Sequence, residues 1–170
     1  MSSPGLDGHR NVTFRPADDD DLAFLARVYA STRAEEVAAT GWPVEMQHSF
    51  LQQQHEMQHC HYRNTYYGAE WLIIERDGSP VGRLYRVVWP REIRVIDIAL
   101  LPEARGAGIG TSILEVIQSE AKVLGKAVSI HIEKNNPARS LYTRLGFKVV
   151  EDKGVYDLME WDAATSAALQ

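Results

Sequence analysis

Apolar positions change their spacing several times along the chain, and each change marks a different kind of element. Val12-Thr13-Phe14-Arg15 alternates and stops at Pro16, which predicts a short strand. Asp18 to Asp21 then open a helix carried by Leu22, Phe24, Leu25 and Val28. Acidic side chains at that point cap free N–H groups and suit the helix dipole, a better account of the cluster than a metal site. A second helical stretch, rich in Gln and His, runs from about Val44 to His61. From Trp71 the period becomes that of strands. Trp71 to Ile74, a turn at Arg76-Asp77-Gly78-Ser79, Val81 to Val88 and Ile93 to Leu100 predict an antiparallel meander.

Pro102 ends the third arm, and a glycine-rich turn leads into a helix from about Gly108 to Leu124. Ile109, Ile113, Val116, Ile117 and Leu124 recur there at helical spacing, and Gly125 is a natural stop. Val128 to Ile132 reads as a strand and Pro137 to Leu145 as a short helix closed by Gly146. Phe147 to Val150 and Val155 to Trp161 read as a final strand pair. The order predicts an α+β fold: a mixed, mostly antiparallel central sheet with helices on both faces. Residues 1–10 and 163–170 lack periodic apolar positions and read as tails around one domain, 11–162.

Composition narrows the function classes. The chain has 170 residues, 45% hydrophobic and 24% charged, as in an ordinary globular domain. A formal net charge of -5 argues against a nucleic-acid partner, which wants a basic face. A single cysteine, Cys60, forms no internal disulfide and suits a reducing cytoplasm. No apolar run reaches the length of a membrane span, and residues 1–10 hold no apolar signal core. The expectation is a cytoplasmic protein, with sheet edges and last strands that offer a homodimer surface.

The chemistry is carried first by Arg105-Gly106-Ala107-Gly108-Ile109-Gly110-Thr111. The first N–H groups of a helix lack internal partners and sit at the positive end of its dipole, and glycines let a ligand approach the main chain. A strand, a glycine-rich turn and a helix therefore make a phosphate cradle. The spacing is neither that of a P-loop, since Thr111-Ser112 follows Gly110, nor the GxGxxG of a dinucleotide site. A purely structural turn is the alternative.

A second stretch, Asn136-Pro137-Ala138-Arg139-Ser140-Leu141-Tyr142-Thr143-Arg144-Leu145-Gly146-Phe147, lies at a suitable distance downstream. Together, Arg105-x-x-Gly108-x-Gly110 and this N-x-A-x-x-L-Y-x-x-x-G-F run resemble the two signatures of the GNAT acetyltransferase superfamily. The resemblance covers about residues 12–162 and is strong from 93 to 161. It implies acetyl-coenzyme A as co-substrate and a splayed strand pair that admits it. By that resemblance, main-chain N–H groups of Gly106, Ala107, Gly108, Ile109, Gly110 and Thr111 hold the pyrophosphate, with Arg105 starting the loop. Ile98, Ala99 and Leu100 pair with the pantetheine arm, which Asn136 also contacts, and Val128 to Ile132 is the strand across the gap. Tyr142 sits by the sulfur, where a phenol protonates the leaving thiolate. Its alternative is a core aromatic. An N–H near Leu100 is placed to stabilise the thioester oxygen. For the base that takes the amine proton, Asp97, His131, Glu133 and a water relay stay open.

One competing motif remains. His55-Glu56-Met57-Gln58-His59 matches the HExxH of zinc proteases, but Tyr62 and Thr65 stand where a longer form needs glycine and a third histidine. The blander reading is a helix face beside an acceptor pocket, in which His48, His55 and His59 tune charge near neutral pH. Arg33, Glu35, Glu36 and Trp42 are further candidates for acceptor contact. The sequence thus predicts transfer of acetyl from acetyl-coenzyme A to a primary amine, without a metal. A non-catalytic acyl-coenzyme A binding module is the rival, and a zinc hydrolase using His55, Glu56 and His59 a remote third.

Overall fold

The computed structural model describes residues 11–164. Seven strands form one sheet in the order β1-β2-β3-β4-β5-β7-β6. They are β1 (Val12–Pro16), β2 (Glu70–Arg76), β3 (Ser79–Val88), β4 (Glu92–Leu100), β5 (Ala127–Glu133), β6 (Lys148–Asp152) and β7 (Tyr156–Trp161). Only β4 and β5 run parallel. The helices are α1 (Leu22–Ala38), α2 (Val44–Thr65), α3 (Ile109–Leu124) and α4 (Arg139–Arg144). The expected mixed sheet is the one observed, and the GNAT-like element order holds throughout.

Local chemistry explains the boundaries. Asp18 accepts from the Asp20 amide at 2.9 Å and donates its own amide to Asp21 at 2.9 Å, a capping box ahead of α1. Arg15 grips Asp21 with two bonds of 2.8 Å and, with the Asp18 amide, holds that carboxyl down to about 2. The acidic cluster is therefore a cap tied to β1. α1 continues past Val28 to Ala38, because no breaker occurs before Gly41, where φ is 72°.

Alternation assigns the two faces. Leu72, Ile74, Val81, Leu84, Ile93, Val95, Val128, Ile130 and Met159 bury against Ile109, Ile113, Leu114 and Ile117 of α3. Ile73 and Tyr85 point the other way and meet Leu25 of α1, with Trp71, Ile96 and Tyr62 packed around them. Helices thus cover both faces, α3 on one and α1 with α2 on the other. Burying one such side chain stabilises by about 1.5–3 kcal/mol. Ala163, the first residue of the expected C-terminal tail, packs against the larger core; residues 1–10 and 165–170 lie outside the described residues.

Two irregularities shape the centre of the sheet. The β4–β5 ladder runs only from Glu92–Ala127 to Val95–Ile130. Opposite it, the β3–β4 register jumps from Arg86–Val95 to Tyr85–Asp97, so Ile96 is an extra, bulged residue. The bulge sits at the point where β4 parts from β5. Residues 97–100 stay paired to β3 while the other edge of β4 opens. Among the described residues no helix is long and apolar enough to cross a membrane.

Candidate functional site

The glycine turn stands where the opened edge of β4 ends. Gly106 and Gly108 have φ of 80° and 79°, conformations that side chains rarely adopt, so the turn needs glycine there. A Cβ added at Gly106 or Gly110 would meet nothing within 4 Å, so both sit against open space. Gly108 is the N-cap of α3, and no side chain caps that end. The first helical bond runs from the Ser112 amide to the Gly108 carbonyl at 3.0 Å, which leaves the amides of Ile109, Gly110 and Thr111 ahead of the helical ladder. Arg105 does not point into this cradle. Its Nε donates to the Leu100 carbonyl at 2.9 Å and its Nη2 to Ser31 Oγ at 3.2 Å, tying the turn to β4 and α1.

The open edge of β4 presents alternate residues. The Leu101 amide bonds the Val81 carbonyl at 2.8 Å, so residues 101 and 99 turn their main chain towards β3. The Ala99 carbonyl presses on Gly82, where no Cβ would fit. Ile98 therefore offers its main chain to the gap and Leu100 its N–H, the Leu100 carbonyl being held by Arg105, and Ala99 does not. Across the gap, Asn136 spends its Oδ1 on the Ala138 amide at 2.9 Å, which shapes the approach to α4. That side chain has a structural duty besides any ligand contact.

Tyr142 on α4 is 4% exposed and packs edge-on against Phe147, with ring centroids 5.4 Å apart. Burial first, then the negative charge of Asp97, pushes its phenol well above the usual tyrosine range. The hydroxyl stays protonated at neutral pH, which suits a proton donor.

The three carboxylate and imidazole candidates have different partners. Asp97, just after the bulge, lies 2.5 Å from Nη2 of Arg83, a residue only 2% exposed. Glu133, at the end of β5, receives Arg33 Nη2 at 3.2 Å and the Tyr156 hydroxyl at 3.5 Å, both on Oε1. His131 faces Arg94, whose Nη1 lies 3.3 Å from Nδ1. A guanidinium only donates, so Nδ1 accepts and the neutral ring carries its proton on Nε2. Burial, Arg94 and Lys153 all lower the His131 pKa. With its lone pair already engaged, His131 is the weakest of the three as a base.

A model of the Acetyltransferase (GNAT) family matches residues 25–147 of the chain. The chain belongs to the GNAT acetyltransferase family. An N-alpha-acetyltransferase of Sulfurisphaera tokodaii is 33% identical over 100 residues, 50% of this chain and 60% of the relative. Another, from Saccharolobus solfataricus, is 35% identical over 106 residues, 53% of this chain and 64% of the relative. The chain thus spans less than two thirds of these curated relatives. Its fold is similar to that of the PaiA N-acetyltransferase from Thermoplasma acidophilum, solved with coenzyme A, at a TM-score of 0.64 and 18% identity over 89% of this chain and 98% of that one.

Other members of this GNAT site are not legible from motifs. Arg83, Tyr85 and Tyr62 gather near Asp97 on the face covered by α1 and α2, and the Arg83 guanidinium lies 5.0 Å from the Tyr85 ring centre and 5.9 Å from that of Tyr29. Tyr156 joins Glu133 from β7. Of the HExxH histidines, His55 is buried beside Tyr29, and its ring centre lies 6.1 Å from that of His59. Among the described residues no group of three or more His, Cys, Asp or Glu is placed to hold a metal ion. Burial, then Arg83 and His59, hold His55 down at about 4. His55 is therefore neutral near pH 7, and the expectation that it tunes charge there does not hold. Arg33 reaches the site through Glu133. Trp42 instead packs edge-on against Phe50 at 5.3 Å.

Proposed function

We propose that the chain is an acetyl-coenzyme A-dependent N-acetyltransferase acting on a primary amine. The observation that carries this reading is the end of the β4–β5 ladder at Val95–Ile130, beside the uncapped start of α3. A gap with free main-chain groups on one side, and helix amides at its end, fits an extended arm that terminates in a diphosphate.

The co-substrate supplies an acetyl thioester. Amides of Gly106, Gly108, Ile109, Gly110 and Thr111 bind the diphosphate, with Ala107 and Arg105 completing the turn. Ile98 and Leu100 hold the arm along β4, and Ala99 contributes through the wall of the gap rather than its main chain. Asn136 borders the arm from the β5 side. The Leu100 N–H, directed into the gap, faces developing negative charge on the acyl oxygen. Tyr142 gives its proton to the departing sulfur. Asp97 and Glu133 face the acceptor side, where a carboxylate attracts an ammonium and takes its proton. The N-alpha-acetyltransferase relatives support an α-amine as acceptor, the class to test first.

Release of free thiol from acetyl-coenzyme A, followed with short peptides bearing free α-amines and with small primary amines, tests the proposal. Amine-dependent thiol release supports it. Coenzyme A binding without release above background would make the chain a binding module instead.

A further inference from the structure

We propose that Arg83 is a positioning residue for this transfer, fixing the Asp97 carboxylate at the splay so that Asp97, rather than His131 or Glu133, receives the acceptor ammonium and takes its proton. The inference rests on the N-acetyltransferase reading above.

Arg83 occupies mid-β3, on the face turned to α1 and α2. Its Nη2 reaches both Asp97 Oδ2 and, at 2.9 Å, Gln58 Oε1 of α2. Nε and Nη1 are buried and make no hydrogen bond, and Asp97 Oδ2 is itself out of hydrogen-bond alignment. A buried guanidinium with one carboxylate and unused donors is a poor structural element, and an apolar side chain of similar volume would serve the strand as well or better. Arg86, three residues on, is the contrast. It is 1% exposed and braces Glu120 of α3 and Glu70 of β2, on the face away from the acceptor.

The carboxylate held by Arg83 is the one at the bulge. The extra residue Ile96 returns Asp97 to the acceptor face just as β4 loses its β5 neighbour. Its side chain keeps 23% of its surface exposed, against 2% for that of Arg83. Arg83 and Tyr85 of β3 lie beside it, and Tyr62 of α2 and Tyr142 of α4 feel its charge, while Gln58, His55 and His59 of α2 and Tyr29 of α1 surround Arg83. Burial raises Tyr62, Tyr85 and Tyr142 further towards the neutral phenol, and both histidines are shifted towards the neutral form. Asp97 is therefore the one anion facing Arg83 among these groups. One proton passes from the acceptor ammonium to Asp97 and on to water. The second leaves the nitrogen as the N–C bond forms and the C–S bond breaks, and restores the Tyr142 phenol that protonates the sulfur.

The test compares wild type, Asp97→Asn, Arg83→Met, Arg83→Lys, the Arg83→Met/Asp97→Asn double variant and Arg86→Met, with an α-amine peptide and acetyl-coenzyme A. Asp97→Asn lowers kcat/KM for the peptide by about 100-fold or more. Arg83→Met lowers kcat for the peptide by about 10-fold or more while KM for acetyl-coenzyme A stays unchanged, because the carboxylate loses the cation that holds it in place. Arg83→Lys restores most of the rate, and the double variant is no slower than Asp97→Asn alone. Coenzyme A affinity by calorimetry stays within about twofold in all of them, and Arg86→Met leaves kcat for the peptide within about twofold. Should Arg83→Met not fold, Arg83→Gln takes its place. An unchanged kcat in Arg83→Met, a double variant clearly slower than Asp97→Asn alone, or a rate that survives Asp97→Asn overturns the inference while thiol release by wild type keeps the N-acetyltransferase reading. Absence of thiol release by wild type overturns both.

Discussion

Replacing Gly110 by alanine separates the stability of the glycine turn from its capacity to bind. Gly110 is the second residue of α3 and has no positive φ, and a Cβ there meets nothing within 4 Å. The folded chain accommodates the methyl without strain. Alanine is favoured over glycine in a helix by up to about 1 kcal/mol, so folding stability rises or holds. For a chain of this size that corresponds to an increase of about 1–4 °C in Tm. The same methyl occupies open space at the start of α3, in front of amides that precede the helical ladder. A hydrogen bond to a charged group contributes about 1.5–3 kcal/mol, and losing one weakens coenzyme A binding about 10- to 150-fold. Differential scanning calorimetry and isothermal titration on the same samples read both effects. A variant with raised Tm and unchanged affinity would refute the assignment of the diphosphate to this turn.

Further outcomes follow from other contacts. Tyr142→Phe, which keeps the ring against Phe147, lowers kcat by about 100-fold while leaving coenzyme A affinity within about twofold; equal rates would remove the phenol from the chemistry. Glu120→Ala leaves the buried Arg86 guanidinium with Glu70 alone and destabilises the fold by about 1–3 kcal/mol in urea melts, whereas a loss under about 0.5 kcal/mol would show the pair to be incidental. His55 binds its proton at about 4 in the folded chain and near 6.5 when unfolded, so the unfolded state holds more protons between those values. Stability therefore drops as pH falls from about 6.5 to about 4, and His55→Phe lessens that drop in denaturant melts; an unaltered pH profile would contradict the burial argument.

The second half of the fold was legible because its punctuation is chemical. Pro102, Gly106 and Gly108 before α3, Gly125 and Gly146 each occupy a turn or helix end that the backbone requires. The bulge also left a trace. Apolar residues fall at Ile93 and Val95 and then at Ile98 and Leu100, a change of parity that one inserted residue explains. The splay itself was expected from family resemblance alone. Arg83 and Arg86 were not legible, since charged residues in a strand read as solvent-facing. Their partners Gln58 and Glu120 come from helices 25 and 34 residues away, respectively. Glu133 could be placed on its strand, but the approach of Arg33 and Tyr156 depends on how α1 and β7 fold over the sheet.

The central claim is that main-chain groups along β4 and at the start of α3 hold acetyl-coenzyme A. Titration of uniformly 15N-labelled protein with coenzyme A, read at each amide, tests it most directly. The account predicts saturable shifts largest at Gly106, Gly108, Gly110, Thr111, Ile98 and Leu100, with Ala99 much less affected. Saturable shifts confined to other parts of the chain, or none at millimolar ligand, would contradict it.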